Sequence, residues 1–207
     1  MKNVKIVNEL QKNKYKYIFL FTLIILGIIT GIILSNIISY NDKKEIGDII
    51  ENYILNLKSN NLNYISNLIN SLNVNFIYLL LIFICSISII GIIINPLILY
   101  FKSFIIGFSI GIMINIYGYI GILIGIFSIF PHQIINIIIY LFLSFYGIKL
   151  SLHLISFLFL KKQFNFGVFM KKYLKVILAS SIILIVSSLY ETFLSDYVIK
   201  IFTFLLK

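Results

Sequence analysis

The 207-residue chain is 60% hydrophobic and only 12% charged, with a mean hydropathy of +1.05 and a formal charge of +10. That composition excludes a soluble globular domain and identifies an integral membrane protein. Every basic residue is Lys, so the Arg forks that nucleic-acid readers use are missing; no nucleic-acid partner is expected, and the excess charge reads as membrane orientation.

About 20 mostly apolar residues cross a bilayer as a helix. Taken in chain order, a lysine-rich N-terminus (1–16) leads into a first span at 17–39. Its apolar stretch is too long for a signal peptide, and no small-residue cleavage pattern follows. The segment 40–75 is the one sizeable region off the membrane, and in it Ile46, Ile49, Ile50, Ile54 and Leu57 recur at helical spacing opposite Lys44, Glu45, Asp48 and Glu51. This is an amphipathic helix, suited to lie on the outer bilayer surface or cap the bundle, or to offer a partner surface. Ser59-Asn60-Asn61 ends it, and a weaker stripe of Leu62, Ile65, Leu68, Ile69 and Leu72 follows.

Further spans are read at 76–100, 103–130, 134–160 and 176–194, with a Pro-His turn at 131–133, a basic connection at 161–175 and a C-terminal tail at 195–207. The fold class is therefore all-α: a polytopic membrane protein of five transmembrane helices with an external amphipathic segment between the first two. With five spans, Lys2, Lys5, Lys12, Lys14, Lys16, Lys102, Lys161, Lys162, Lys171, Lys172 and Lys175 all fall on one side, which puts the N-terminus in the cytoplasm and the C-terminus outside.

Polar side chains inside a membrane must find partners or water, so each marks a candidate site. They are Asn115, Pro131, His132, Gln133, Asn136, Lys149 and Glu191, with His153 one turn from Lys149. The two histidines are 21 positions apart and neither has an adjacent Glu, so no zinc-peptidase cluster is visible. The serines suit helix packing better than nucleophilic work. No catalytic residue, metal or cofactor is expected. Cys85, in an apolar run, reads as a small core residue. Gly27 and Gly31, Gly107 and Gly111, and Gly121 and Gly125 form three small-xxx-small pairs, which predict close helix approach in a compact bundle or a homodimer. Pro131 cannot continue a helical ladder and is expected to end a span, with His132, Gln133 and Asn136 satisfying the freed carbonyls.

With Gly107-Phe108-Ser109-Ile110-Gly111, then Asn115, Gly118 and Gly121, then Pro131-His132-Gln133, and finally Tyr190-Glu191-Thr192-Phe193-Leu194-Ser195, the chain resembles the stage II sporulation protein M family of endospore-forming bacteria. The likeness runs over nearly the whole chain. It implies a non-catalytic anchor and scaffold in engulfment, acting with stage II sporulation proteins D and P at the septal membrane while peptidoglycan is remodelled. In the wider Pro-His group a Glu commonly stands four residues after the His; Asn136 stands there here, which argues against proton transfer by a His–Glu pair at those positions. The competing reading is a transport component, a permease subunit or small carrier, suggested by the glycine-interrupted third span and by Asn115, Lys149 and His153.

Overall fold

The structure, a computed structural model, describes residues 13–59, 63–160 and 165–203. Among these residues every regular element is helical: α1 (Lys14–Ile37), α2 (Tyr40–Lys58), α3 (Tyr64–Ser86), α4 (Gly91–Ile124), α5 (Phe130–Leu160), α6 (Phe166–Leu189) and α7 (Asp196–Thr203). Two π-helical turns, Gly125–Ile129 and Tyr190–Ser195, join α4 to α5 and α6 to α7. Lys2, Lys5, Lys12, Asn60, Asn61, Leu62, Lys161, Lys162 and Lys207, used above for orientation and boundaries, lie outside the described residues.

Four helical tracts are long and apolar enough to cross a membrane: Lys14–Ile37, Tyr64–Ser86, Gly91–Phe159 and Phe166–Ile201. Their outward faces are greasy, with Ile77, Ile84, Phe101, Leu178 and Ile182 all exposed, as a lipid-facing surface requires.

The third tract is 69 residues and would reach about 100 Å if straight. It does not run straight. Gly118 adopts φ 57° and ψ −131°, a conformation that only glycine takes at little cost, and the chain folds back there. Immediately beyond, a Cβ on Gly121 would strike the Met113 carbonyl, so glycine is needed for the close return.

Helix boundaries differ from the expected spans in four places. The break between the second and third hydrophobic runs lies at Ile87–Ile90, where the Ser88 hydroxyl accepts from the Ile90 amide at 3.1 Å, and not at residues 101–102. Lys102 is consequently in the middle of α4 and buried, and not in a turn among the lysines expected on the cytoplasmic side. Pro131 and His132 do not form an external turn either: they lie in the first turn of α5, where a missing proline N–H is tolerated, and the helical register widens to π just upstream. The stripe from Ile65 to Leu72 belongs to the start of α3, continuous with the membrane tract, and the expected connection 161–175 is helical from Phe166 onward.

Contacts fix how the helices run. Gly27 meets Tyr100 and Ser103, Gly31 meets Phe104 and Phe108, and Ser35 meets Gly111, so α1 and α4 are parallel neighbours. Both glycine pairs face each other across this seam; a Cβ on Gly107 would strike the Ile28 backbone. Contacts of α5 with α3 at Asn75 and Ser86 advance in the same direction, whereas α6 runs against α3, from Tyr173 beside Ser86 to Ser188 beside Asn75. The apolar core between them includes Leu20, Leu79, Ile82, Leu99, Leu143 and Leu184. Cys85 is half-buried and free.

α2 forms because Ser39 caps it, accepting from the Asp42 amide at 3.2 Å, and because its apolar stripe has somewhere to go. That stripe turns inward. Ile54 and Leu57 are buried and Ile46 and Ile50 half-buried against α7 and the end of α4, leaving only Ile49 of the expected partner surface exposed. The five residues together are a packing face and not an open docking surface.

Candidate functional site: a polar cavity in the bundle

The α3 face that meets the bundle carries Asn67, Ser71, Asn75 and Tyr78, spaced three and four apart and therefore stacked on one side of the helix. They line or approach a cavity of about 460 Å³ closed by the start of α5, both π-helical turns, Lys102 of α4 and Tyr53 of α2. Single π turns recur at functional sites because the extra residue redirects side chains. Here they meet: the Ser195 hydroxyl donates to the Ser128 carbonyl at 2.8 Å.

His132 is almost fully buried beside this junction. Its Nδ1 lies 3.1 Å from the Ser128 carbonyl, which can only accept, so the ring hydrogen is on Nδ1. Nε2 therefore keeps its lone pair and accepts from the Gln133 amide nitrogen at 3.0 Å. With the Gln133 amide turned this way the ring carries one hydrogen, on Nδ1. Glu191 Oε1 is 3.9 Å from Nε2, beyond a hydrogen bond, while its Oε2 accepts from the Ser71 hydroxyl. A proton gained at Nε2 would make both ring nitrogens donors. Gln133 would then have to turn its amide and offer Oε1, which is buried without a hydrogen-bond partner.

Below this layer Asn75 ties three helices together. Its Nδ2 donates to the Ser188 hydroxyl at 3.0 Å, and its Oδ1 accepts from Asn136 at 3.3 Å and from the Tyr140 hydroxyl at 3.2 Å. Deeper still is Lys102, 5% exposed, with its ammonium 4.7 Å above the Tyr78 ring and 6.0 Å from the Tyr140 ring. Aromatic faces offset part of the cost of burying that charge, about 1 to 2 kcal/mol when desolvated. Among the described residues no carboxylate lies within ion-pair distance of it. At the mouth the Tyr53 hydroxyl donates to Asp196 Oδ1 at 2.6 Å; burial first, and this bond second, push the phenol well above its usual range.

A model of the stage II sporulation protein M family matches residues 19–196. The chain belongs to this family. It is accordingly a sporulation-related membrane protein. The matched span of this stage II sporulation protein M family member runs from α1 to the first residue of α7 and takes in Lys102, His132, Glu191 and Asp196 alike. No curated protein and no solved structure matches the chain.

Of the polar residues singled out in the sequence, the structure brings Pro131, His132, Gln133, Asn136 and Glu191 to one place. Asn115 lies elsewhere, donating to the Ser35 carbonyl at 2.9 Å at the end of α1. Lys149 lies about 25 Å along α5 from His132, near Lys16, so Glu191 has Lys102 and not Lys149 as its neighbouring cation. His153 accompanies Lys149, with Nδ1 at 2.6 Å from the Lys149 carbonyl and its ring 4.3 Å from Phe169. Sequence reasoning missed Lys102, Ser71, Asn75, Tyr53 and Asp196 as members of the site. The i, i+4 run Asn67, Ser71, Asn75 was the available signal, hidden because all three fall in the segment 40–75, which the sequence places off the membrane.

Proposed function

We propose that the chain is a non-catalytic membrane anchor and scaffold of the engulfment machinery, holding stage II sporulation proteins D and P at the septal membrane. The family match over residues 19–196 carries this reading. The reversal at Gly118 supports five crossings: α1, α3, the first part of α4, the return from Tyr119 through α5, and α6. Lysines of the N-terminal tail and of the stretch before Lys175 remain on one side after Lys102 is removed, which favours a cytoplasmic N-terminus and puts α2 and the cavity mouth outside.

On this reading the partner contact moves to the outward face of α2. Glu45, Asp48, Ile49, Asn52 and Leu55 are exposed there, a mixed polar and apolar strip on the cell-wall side. The test is co-purification of proteins D and P from sporulating cells expressing the tagged chain. Ile49→Lys with Leu55→Lys is expected to lower recovery of both partners while the chain stays in the membrane. Undiminished recovery would remove α2 as the contact, and absence of both partners from the wild-type pull-down would remove the scaffold reading. A reporter active only outside the cytoplasm should work after Ser59 and stay silent after Asn165; activity at Asn165 would overturn the five-crossing topology.

A further inference from the structure

A second opening faces the lipid and not the bundle interior. It is a groove of about 460 Å³ between α1 and α4, lined by Phe19 and Leu23 on one wall and by Ile93, Pro96, Leu97 and Tyr100 on the other. Phe19, Ile93 and Leu97 are exposed, and both walls belong to tracts that cross the membrane, so the groove opens on hydrocarbon. It is closed at one end. There a Cβ on Gly27 would lie 2.6 Å from the Tyr100 carbonyl, and the Thr30 and Tyr100 hydroxyls meet at 2.9 Å. From that closure the groove leads back toward the start of α1. Lys16, Leu23 and Gly27 are spaced seven and four apart and so share the stripe of α1 that turns to α4. Lys16 therefore stands at the open end, one turn before Phe19, with a stem long enough to carry its ammonium to headgroup level.

We propose that this groove binds an anionic phospholipid of the leaflet on the Lys16 side, with one acyl chain lying between α1 and α4 and the phosphate on Lys16. The walls select the chain. From Ile93 to Tyr100 they run about 10 Å along α4, and a helix about 10 Å across would occupy roughly 800 Å³ over that length, more than the groove holds. A helix from a second copy is too broad to enter, whereas a methylene chain about 4 Å across at van der Waals contact fits between the walls. Charge selects the headgroup. None of α1, α3, α4, α5 and α6 carries Asp or Glu; the described carboxylates are on α2, the second π turn and α7, at the other end of the bundle. Lys149 of α5 adds a second positive charge within electrostatic reach of Lys16, and two lysines brought together favour an anion near both. α4 directs its N-terminus, the positive end of its dipole, to the same end. The inference concerns the α1–α4 face alone and does not depend on the scaffold reading.

The test is photocrosslinking of the purified full-length chain in phosphatidylcholine nanodiscs. These contain a trace of either phosphatidylglycerol or phosphatidylcholine carrying a diazirine on one acyl chain, and the labelled residues are read by mass spectrometry. Labelling by the phosphatidylglycerol probe is expected to concentrate on Phe19, Leu23, Ile93 and Leu97. There it should exceed labelling by the phosphatidylcholine probe about fivefold, the ratio that one headgroup charge beside one lysine produces. Lys16→Gln should bring the two probes level, and Leu23→Trp, which fills the groove, should reduce labelling of Ile93 and Leu97 by both. Leu178 and Ile182 of α6 marked as strongly as the groove would overturn the proposal, and that reading uses the wild-type chain alone. Equal labelling by the two probes would overturn the anionic headgroup, as would a phosphatidylglycerol preference retained in Lys16→Gln. Unchanged labelling in Leu23→Trp would overturn the groove as the seat of the chain.

Discussion

Two buried polar clusters, at opposite ends of the same helices, are built on different terms. At the end near Lys16, Ser86 is the hub: its hydroxyl meets the Tyr173 hydroxyl at 2.8 Å and accepts from Asn95 at 2.9 Å, while Ser151 donates to its carbonyl at 3.1 Å. Gly147 and Gly91 let the helices close on this hub, since a Cβ on either would collide with it or its neighbours. All its members are neutral, they are bonded to one another, and one buried atom, Asn95 Oδ1, has no hydrogen-bond partner. At the other end Lys102, His132, Glu191 and Asp196 gather around a cavity with several buried acceptors unpaired. Neutral groups bonded directly to one another bind helices together; charged groups around open space leave room for something else.

That contrast can be broken at four points. The largest effect is expected from Gly147→Val, which forces side-chain carbon into Ser86 and Asn95 and should lower stability by about 3 kcal/mol. Thermal unfolding in nanodiscs reads it, and a loss below about 1 kcal/mol would mean that the hub is loose. Next is Asn75→Leu. It strips partners from Asn136 and Tyr140 at the floor of the cavity, for a loss of about 2 kcal/mol; a neutral result would mean that water replaces Asn75 readily.

Smaller again is the response to alkali. The Tyr53 phenol is held above its ordinary value of about 10 in the folded chain, so above that pH the unfolded chain loses its proton first and stability declines with rising pH. In Tyr53→Phe that part of the decline should vanish, and identical alkaline profiles would contradict the Tyr53–Asp196 contact. The smallest effect belongs to Lys102→Met, which should change stability by less than about 1 kcal/mol, because removing a poorly paired buried charge offsets whatever contact is lost. A loss of several kcal/mol would make Lys102 a structural cation and erase the difference between the two clusters.

The helical class, the membrane location and the family were all readable in the residues, because apolar length, lysine placement and glycine spacing are local signals. The α1–α4 glycine contacts are a case in point: the 27/31 and 107/111 pairs announce close approach, although the sequence does not say to what. The break at Ile87–Ile90 was not readable, since four mostly apolar residues without Pro, Gly or charge interrupt an apolar run and only a serine side chain turns them. That single shift of register moved Lys102 from a supposed cytoplasmic turn to the bundle interior. The stripe of α2 was read correctly as amphipathic, but the choice between bilayer, bundle and partner stayed open, because periodicity gives a face and not what covers it; the bundle covers it. Likewise the two π turns depend on tertiary fit around Pro131 and Glu191 and leave no periodic trace.

The engulfment role is tested most directly by membrane-dye imaging of sporulating native cells that lack the gene, complemented with the wild type. Cells arrested with a flat or bulging septum, and rescued by the wild-type chain, are the predicted result. Normal migration of the mother-cell membrane around the forespore without the gene would contradict it.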